Sequence, residues 1–229
     1  MALLHRRLII ALCGAILAVV LAPAAALTAG GPGVTIRIEG LNKTLVLPTE
    51  VRVPGGFITR FGAPANKCSA SSAQGALNVA SHGKWAGTWY SSYNEYLITS
   101  ILGERPKGSD YWEIFVNDKA ASVGACDLKA RPGEQVLFAD TSGSEGPAEL
   151  IGPHSAVAGR PFTVKLVGYT AAGKAKPLAG ALVTGNGIKS VNTNSRGIAT
   201  LLGARAGVLV LRAGPKGYVR TEAVVHVAA

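Results

Sequence analysis

The chain has 229 residues, of which 48% are hydrophobic and 16% charged, and carries 23 Lys+Arg against 13 Asp+Glu. Beyond the N-terminal leader no apolar run approaches the ~20 residues that cross a bilayer, which excludes a stable membrane span in the processed chain. The 29 glycines and 6% aromatics suit short strands joined by many turns.

The leader comes first. His5, Arg6 and Arg7 precede the apolar run Leu8–Val20, and the small residues Ala22–Ala26 follow. Charged, apolar and small-residue regions in that order predict a secretory signal peptide over residues 1–26, cut after Ala24-Ala25-Ala26. At 13 residues the apolar run is shorter than a transmembrane helix requires. Cys13 lies inside the run behind Leu12, where a lipid-anchor motif wants a small residue. Cleavage leaves 203 of the 229 residues, a length that fits two domains of about 100 residues better than one. Cys68 and Cys126 are then the remaining thiols, and outside the reducing cytoplasm they predict one disulfide.

Residues 27–33 read as a small-residue spacer. Val34, Ile36 and Ile38 alternate with Thr35, Arg37 and Glu39, which predicts a strand; Gly40–Lys43 turns it and Thr44–Leu47 pairs back. Ser69–His82 predicts the one helix, capped by Ser71 or Ser72, with Ala73, Leu77 and Ala80 at helical spacing and Gly83 ending it. Its internal Gly75 makes docking on a sheet, with Cys68 at its start, the source of its stability. Trp112, Ile114 and Val116 alternate with Glu113, Phe115 and Asn117, the pattern of a half-buried strand. Asn117-Asp118 is primed-turn chemistry, and Arg131-Pro132-Gly133-Glu134 is a type II turn before the apolar Gln135–Ala139. A hairpin, a helix and further strands make an α+β domain with one helix on a mixed sheet.

Residues 141–147, TSGSEGP, read as a linker. The remainder is predicted all-β, with strands at Phe162–Val167, Pro177–Val183, Ser190–Thr193, Ile198–Leu202, Val208–Arg212 and Ala223–Val227. Turns at Gly185–Gly187 and Asn194–Gly197 complete a β-sandwich pattern of about 80 residues. Charge divides along the same boundary. Residues 27–145 hold 11 Lys+Arg and 11 Asp+Glu, whereas residues 146–229 hold 10 and 2.

With these residues in view, the segment Val34–Ala139 resembles the DUF4430 family, domains similar to the C-terminal β-domain of transcobalamin. The likeness rests on VTIRIEG, the Ala-rich helix near Ala73–Ala80, YWEIFVNDKAAS and GACDLKARPGEQVLFA; Asp118 and Glu134 depart from the family's Gly and Asp. The resemblance implies a β-grasp fold of the soluble-ligand-binding kind over residues 34–140. In transcobalamin-like proteins this module covers a corrinoid, but no motif here carries a corrinoid contact over. Pro177–Val227 resembles carboxypeptidase regulatory-like and bacterial Ig-like, transthyretin-type modules, implying an Ig-like spacer over residues 148–229.

For a ligand site the aromatic run Trp85, Trp89, Tyr90, Tyr93 and Tyr96 is the candidate, with Trp112 as a companion that also suits a core. The basic last third suits an anionic envelope polymer or acidic headgroups, or simply a solvated surface. Catalysis finds little footing, since His82, His154 and His226 stand apart and none has metal spacing. Gly143–Gly146 does not follow a strand into a helix as a nucleophile elbow must. No cofactor, metal or nucleic-acid motif is present in the sequence. The expectation is a secreted or cell-surface, non-enzymatic binding module; the competing expectation is a purely structural or adhesive envelope protein.

Overall fold

The computed structural model describes residues 30–60, 67–203 and 205–229. The leader 1–26, and with it the predicted signal peptide and Cys13, lies outside the described residues, as do residues 27–29 of the spacer. Strands dominate, gathered into several sheets, with one helix among the described residues.

The first half comprises β1 (Gly33–Glu39), β2 (Thr44–Arg52), β3 (Phe57–Thr59), β4 (Lys67–Ser69), α1 (Ala73–Ala80), β5 (Trp85–Tyr90), β6 (Glu95–Ile101), β7 (Tyr111–Val116), β8 (Lys119–Ala120) and β9 (Gln135–Thr141). Its main sheet runs β2-β1-β9-β7-β8. β1 and β9 are parallel and the other pairs antiparallel, so the sheet is mixed. The turns follow their chemistry. Gly40 N–H donates to Lys43 C=O at 2.9 Å to close the first hairpin. Asn117 and Asp118 take φ of 47° and 61°, the left-handed pair that a primed turn requires. Gly133, at φ 80°, sits where a type II turn needs a residue without Cβ strain.

The helix is shorter than Ser69–His82 and begins at Ser72, whose hydroxyl accepts from Gly75 N–H at 3.3 Å. Its free N–H groups find partners outside the helix. Ala73 N–H donates to Leu128 C=O at 2.7 Å and Gln74 N–H to Ala125 C=O at 3.0 Å. That loop also holds Cys126, which lies at disulfide distance from Cys68 with Cα atoms 5.1 Å apart. Bridge and hydrogen bonds together fasten the helix start to the segment before β9.

Alternation in β1 sends Val34, Ile36 and Ile38 into the core under α1, with Leu77, Val136 and Phe138. The half-buried β7 carries one buried side chain on each face. Trp112 is 6% exposed on the helix side while Phe115 is 1% exposed on the other. Phe115, Leu137 and Ala139 pack with Val219 of the second half, so both faces of the sheet are covered.

The second half comprises β10 (Ala148–Ile151), β11 (Ser155–Val157), β12 (Pro161–Tyr169), β13 (Ala175–Pro177), β14 (Leu182–Gly185), β15 (Val191–Asn192), β16 (Ile198–Leu202), β17 (Gly207–Ala213) and β18 (Thr221–Ala228). One sheet joins β10, β12, β13 and β16, and the other runs β11-β18-β17-β14-β15. They share a core that includes Leu150, Leu166, Val183, Leu201, Leu211 and Val225. The single strand expected over Pro177–Val183 is two. β13 belongs to the first sheet and β14 to the second, and Leu178–Ala181 crosses between them through Gly180 at φ 70°.

Candidate functional site

The aromatic run folds into the β5–β6 hairpin, where pairing decides which rings pack and which stay open. Trp89 lies directly across from Tyr96. Their ring centroids are 4.7 Å apart, and Trp85 meets the same tyrosine edge-on at 5.3 Å. Trp85 is buried and its indole N–H donates to Asn78 Oδ1 at 3.0 Å, tying the hairpin to α1. The buried Tyr96 hydroxyl donates to Arg60 C=O at 3.0 Å and accepts from Arg60 N–H at 2.9 Å. These contacts make Trp85, Trp89 and Tyr96 a packed ladder.

The end of β5 and the turn that follows it keep their rings outside. Tyr90 is 44% and Tyr93 74% exposed. With Tyr96 they line a cavity of about 640 Å³ whose other walls are Leu97 and Ile98 of β6, Trp112 and Ile114 of β7, and residues 121–125 and 127. Of the five aromatic residues singled out by sequence, Tyr90, Tyr93 and Tyr96 therefore converge on one cavity, while Trp85 and Trp89 are not among its lining residues. Trp112 joins them, and its buried indole N–H has no hydrogen-bond partner among the described residues.

Glu95 organises this cavity, although nothing in its sequence context marks it. Its carboxylate accepts from Cys126 N–H at 2.9 Å and from Tyr96 N–H at 2.9 Å, so it pins the 121–127 loop to the hairpin. Gly124 makes the approach possible, since a Cβ there would stand 2.1 Å from Glu95 Oε2. Burial raises the Glu95 pKa, the two backbone donors oppose the rise, and the nearby Asp127 charge adds to it. The bridge at Cys126 holds the same loop from behind.

A second cluster lies where the two halves meet. Arg37 donates to Thr221 Oγ1 at 2.6 Å and to Ala148 C=O at 3.1 Å. Glu39 and Glu222 are 1% and 4% exposed. Thr44 donates to Glu222 Oε1, yet both Glu39 oxygens and Glu222 Oε2 lack a hydrogen-bond partner among the described residues. Burial first, and the neighbouring Glu222 carboxyl second, push the Glu39 pKa up to about 9. Arg37 opposes this from 3.7 Å, beyond hydrogen-bond reach, with donors already engaged on the second half. A buried neutral carboxyl beside a second carboxyl is the outcome.

His154 and His226, isolated in sequence, come together with ring centroids 5.0 Å apart on an exposed edge of the second half. No third Cys, His, Asp or Glu joins them among the described residues to make a metal-binding group. Among the described residues, too, no helix is long and apolar enough to cross a membrane.

A search of curated proteins finds no match to the chain. A family model described as a domain of unknown function (DUF4430) matches residues 71–141, the stretch that holds α1, the aromatic hairpin, the cavity walls and Cys126.

Proposed function

We propose that the chain is an exported, non-enzymatic binding module that acts at the cell surface or outside the cell. In this reading residues 34–140 are a β-grasp-like domain of the transcobalamin C-terminal kind that captures a small soluble or envelope ligand. Residues 148–229 are a basic, Ig-like sandwich that serves as its spacer. The mixed sheet with a docked helix and the family match support the first assignment. Two sheets around one core support the second.

One observation carries the binding function: a cavity of about 640 Å³ whose lining includes Tyr90, Tyr93, Tyr96 and Trp112 and which opens beside exposed rings. That size lies within the range of small-molecule sites, and tyrosine faces can stack on a flat or apolar ligand at little entropic cost. The loop that forms one wall is held by Glu95 and the disulfide, so the cavity stands preformed. The basic surface of the second half supports retention at an anionic envelope, since Lys165, Lys174, Lys176, Arg196 and Arg212 are all exposed.

The test uses N-phenyl-1-naphthylamine, a neutral apolar probe that brightens on leaving water. Its fluorescence should rise with the full chain and fall back towards baseline with Tyr93→Ala, an exposed site whose loss leaves the melting temperature within a few degrees. An unchanged signal with no probe bound to either protein refutes the cavity as a site.

A further inference from the structure

The cavity has a charge character that the chain as a whole does not share. The protein is formally +10, yet among the described residues no Lys, Arg or His lines this cavity, whereas Glu95 and Asp127 do. No ion pair reaches either carboxylate among the described residues: Glu95 is held by backbone N–H groups, and its charged neighbour is another acid. Apart from Ser122, the remaining polar side chains of the lining are aromatic. Tyr90 and Tyr93 are exposed rings whose faces carry negative quadrupoles, and such faces attract a cation over a neutral group of the same shape. Around them the apolar Leu97 and Val123 are about half exposed and offer apolar surface to the body of a ligand.

Resting on the reading of this cavity as a ligand site, we infer that its ligand is a small organic cation, an alkylated or quaternary ammonium carrying an aromatic or branched apolar group. The ammonium lies against the tyrosine faces within the field of Glu95 and Asp127, and the apolar group fills the space between Ile98, Trp112 and Ile114. Anions are repelled by the two carboxylates with no basic side chain to compensate. A neutral ligand gains the apolar contacts alone. An alkylated ammonium also suits a site with few free acceptors, because it has few or no N–H donors to satisfy.

The experiment titrates the full-length secreted chain, disulfide intact, with three probes of matched shape. These are benzyltrimethylammonium, its neutral carbon isostere neopentylbenzene and the anionic benzylphosphonate, each displacing N-phenyl-1-naphthylamine. The cation should bind about ten-fold more tightly than the isostere, and the anion should not displace the probe. Asp127→Asn, at an exposed position, should weaken the cation by about three-fold or more while leaving the isostere unchanged. Tyr93→Leu, which keeps apolar cover but removes a ring, should also cost the cation more than the isostere. Equal affinity for cation and isostere, or preference for the anion, overturns the inference while the cavity remains a ligand site. Failure of all three probes and of the fluorescent reporter overturns the ligand site itself.

Discussion

Replacing Glu39 with glutamine should flatten the dependence of stability on pH. Glu39 ionises near 4.5 in an unfolded chain and at about 9 in the folded protein. A carboxyl whose pKa is raised by folding leaves stability intact below its unfolded value. As pH climbs above about 4.5 the unfolded chain gives up the proton while the folded chain keeps it, and stability falls until about 9. The slope from this one group is about 1.4 kcal/mol per pH unit, so at pH 7.5 the ionisable side chain favours unfolding by on the order of 4 kcal/mol. Glutamine has no proton to lose and removes the whole dependence. Its amide enters a site with few partners, so the net gain at pH 7.5 is smaller by about 1–3 kcal/mol. The slope is therefore the decisive quantity. Urea unfolding of both proteins between pH 5 and 9 measures it, with groups common to both cancelling in the difference. A difference that grows with pH and levels off near 9 supports the buried neutral carboxyl. Parallel curves would refute it and show that Arg37 keeps Glu39 ionised in the folded protein.

Three further outcomes follow from the geometry. Reduction of Cys68–Cys126, which closes a separation of 58 residues, should lower the melting temperature, with up to about 4 kcal/mol lost on the chain-entropy account; an unchanged melt counts against the bridge. Gly124→Ala should displace Glu95 and lower stability by about 1–3 kcal/mol, because the new methyl overlaps a carboxylate oxygen pinned by Cys126. A variant that melts like the parent shows that the loop yields freely. Tyr96→Phe removes a hydroxyl bonded on both sides to Arg60 and should destabilise by about 1–2 kcal/mol while sparing probe binding; loss of binding at unchanged stability would instead give that hydroxyl a direct role on the ligand.

What could be read from sequence was local. Period-2 alternation found β1 and β7, Ser71 or Ser72 before an Ala-rich segment found the helix, and Asn117-Asp118 and Gly133 found their turns. These signals depend on neighbours a few residues apart. The errors share the opposite property. Thr35, Arg37 and Glu39 look like a solvent face because alternation reports polarity, and polarity does not say that another half of the chain, some 180 residues on, will cover it. Glu95 was missed for the same reason, since its partner Cys126 lies 31 positions away. The aromatic run was visible as a group, but the division into packed and open rings follows from hairpin register, which places Trp89 across from Tyr96 and leaves Tyr93 in the turn.

β7 unites these features. Its side chains alternate, so Trp112 and Ile114 wall the cavity on one face while Phe115, on the other, packs against Val219 of the second half. A strand with a packed side chain on each face cannot slip by one residue without exchanging the two sets, which would drive the aromatic wall into the interface and Phe115 into the cavity. The cavity thus owes its shape to the second half as well as to the first. Packing at Val219 fixes the register of the strand that carries Trp112, and the Arg37 contacts to Thr221 and Ala148 hold the same sheet from β1, on the far side of β9. The basic half therefore has a part beyond carrying charge: it is the support against which the cavity wall is built.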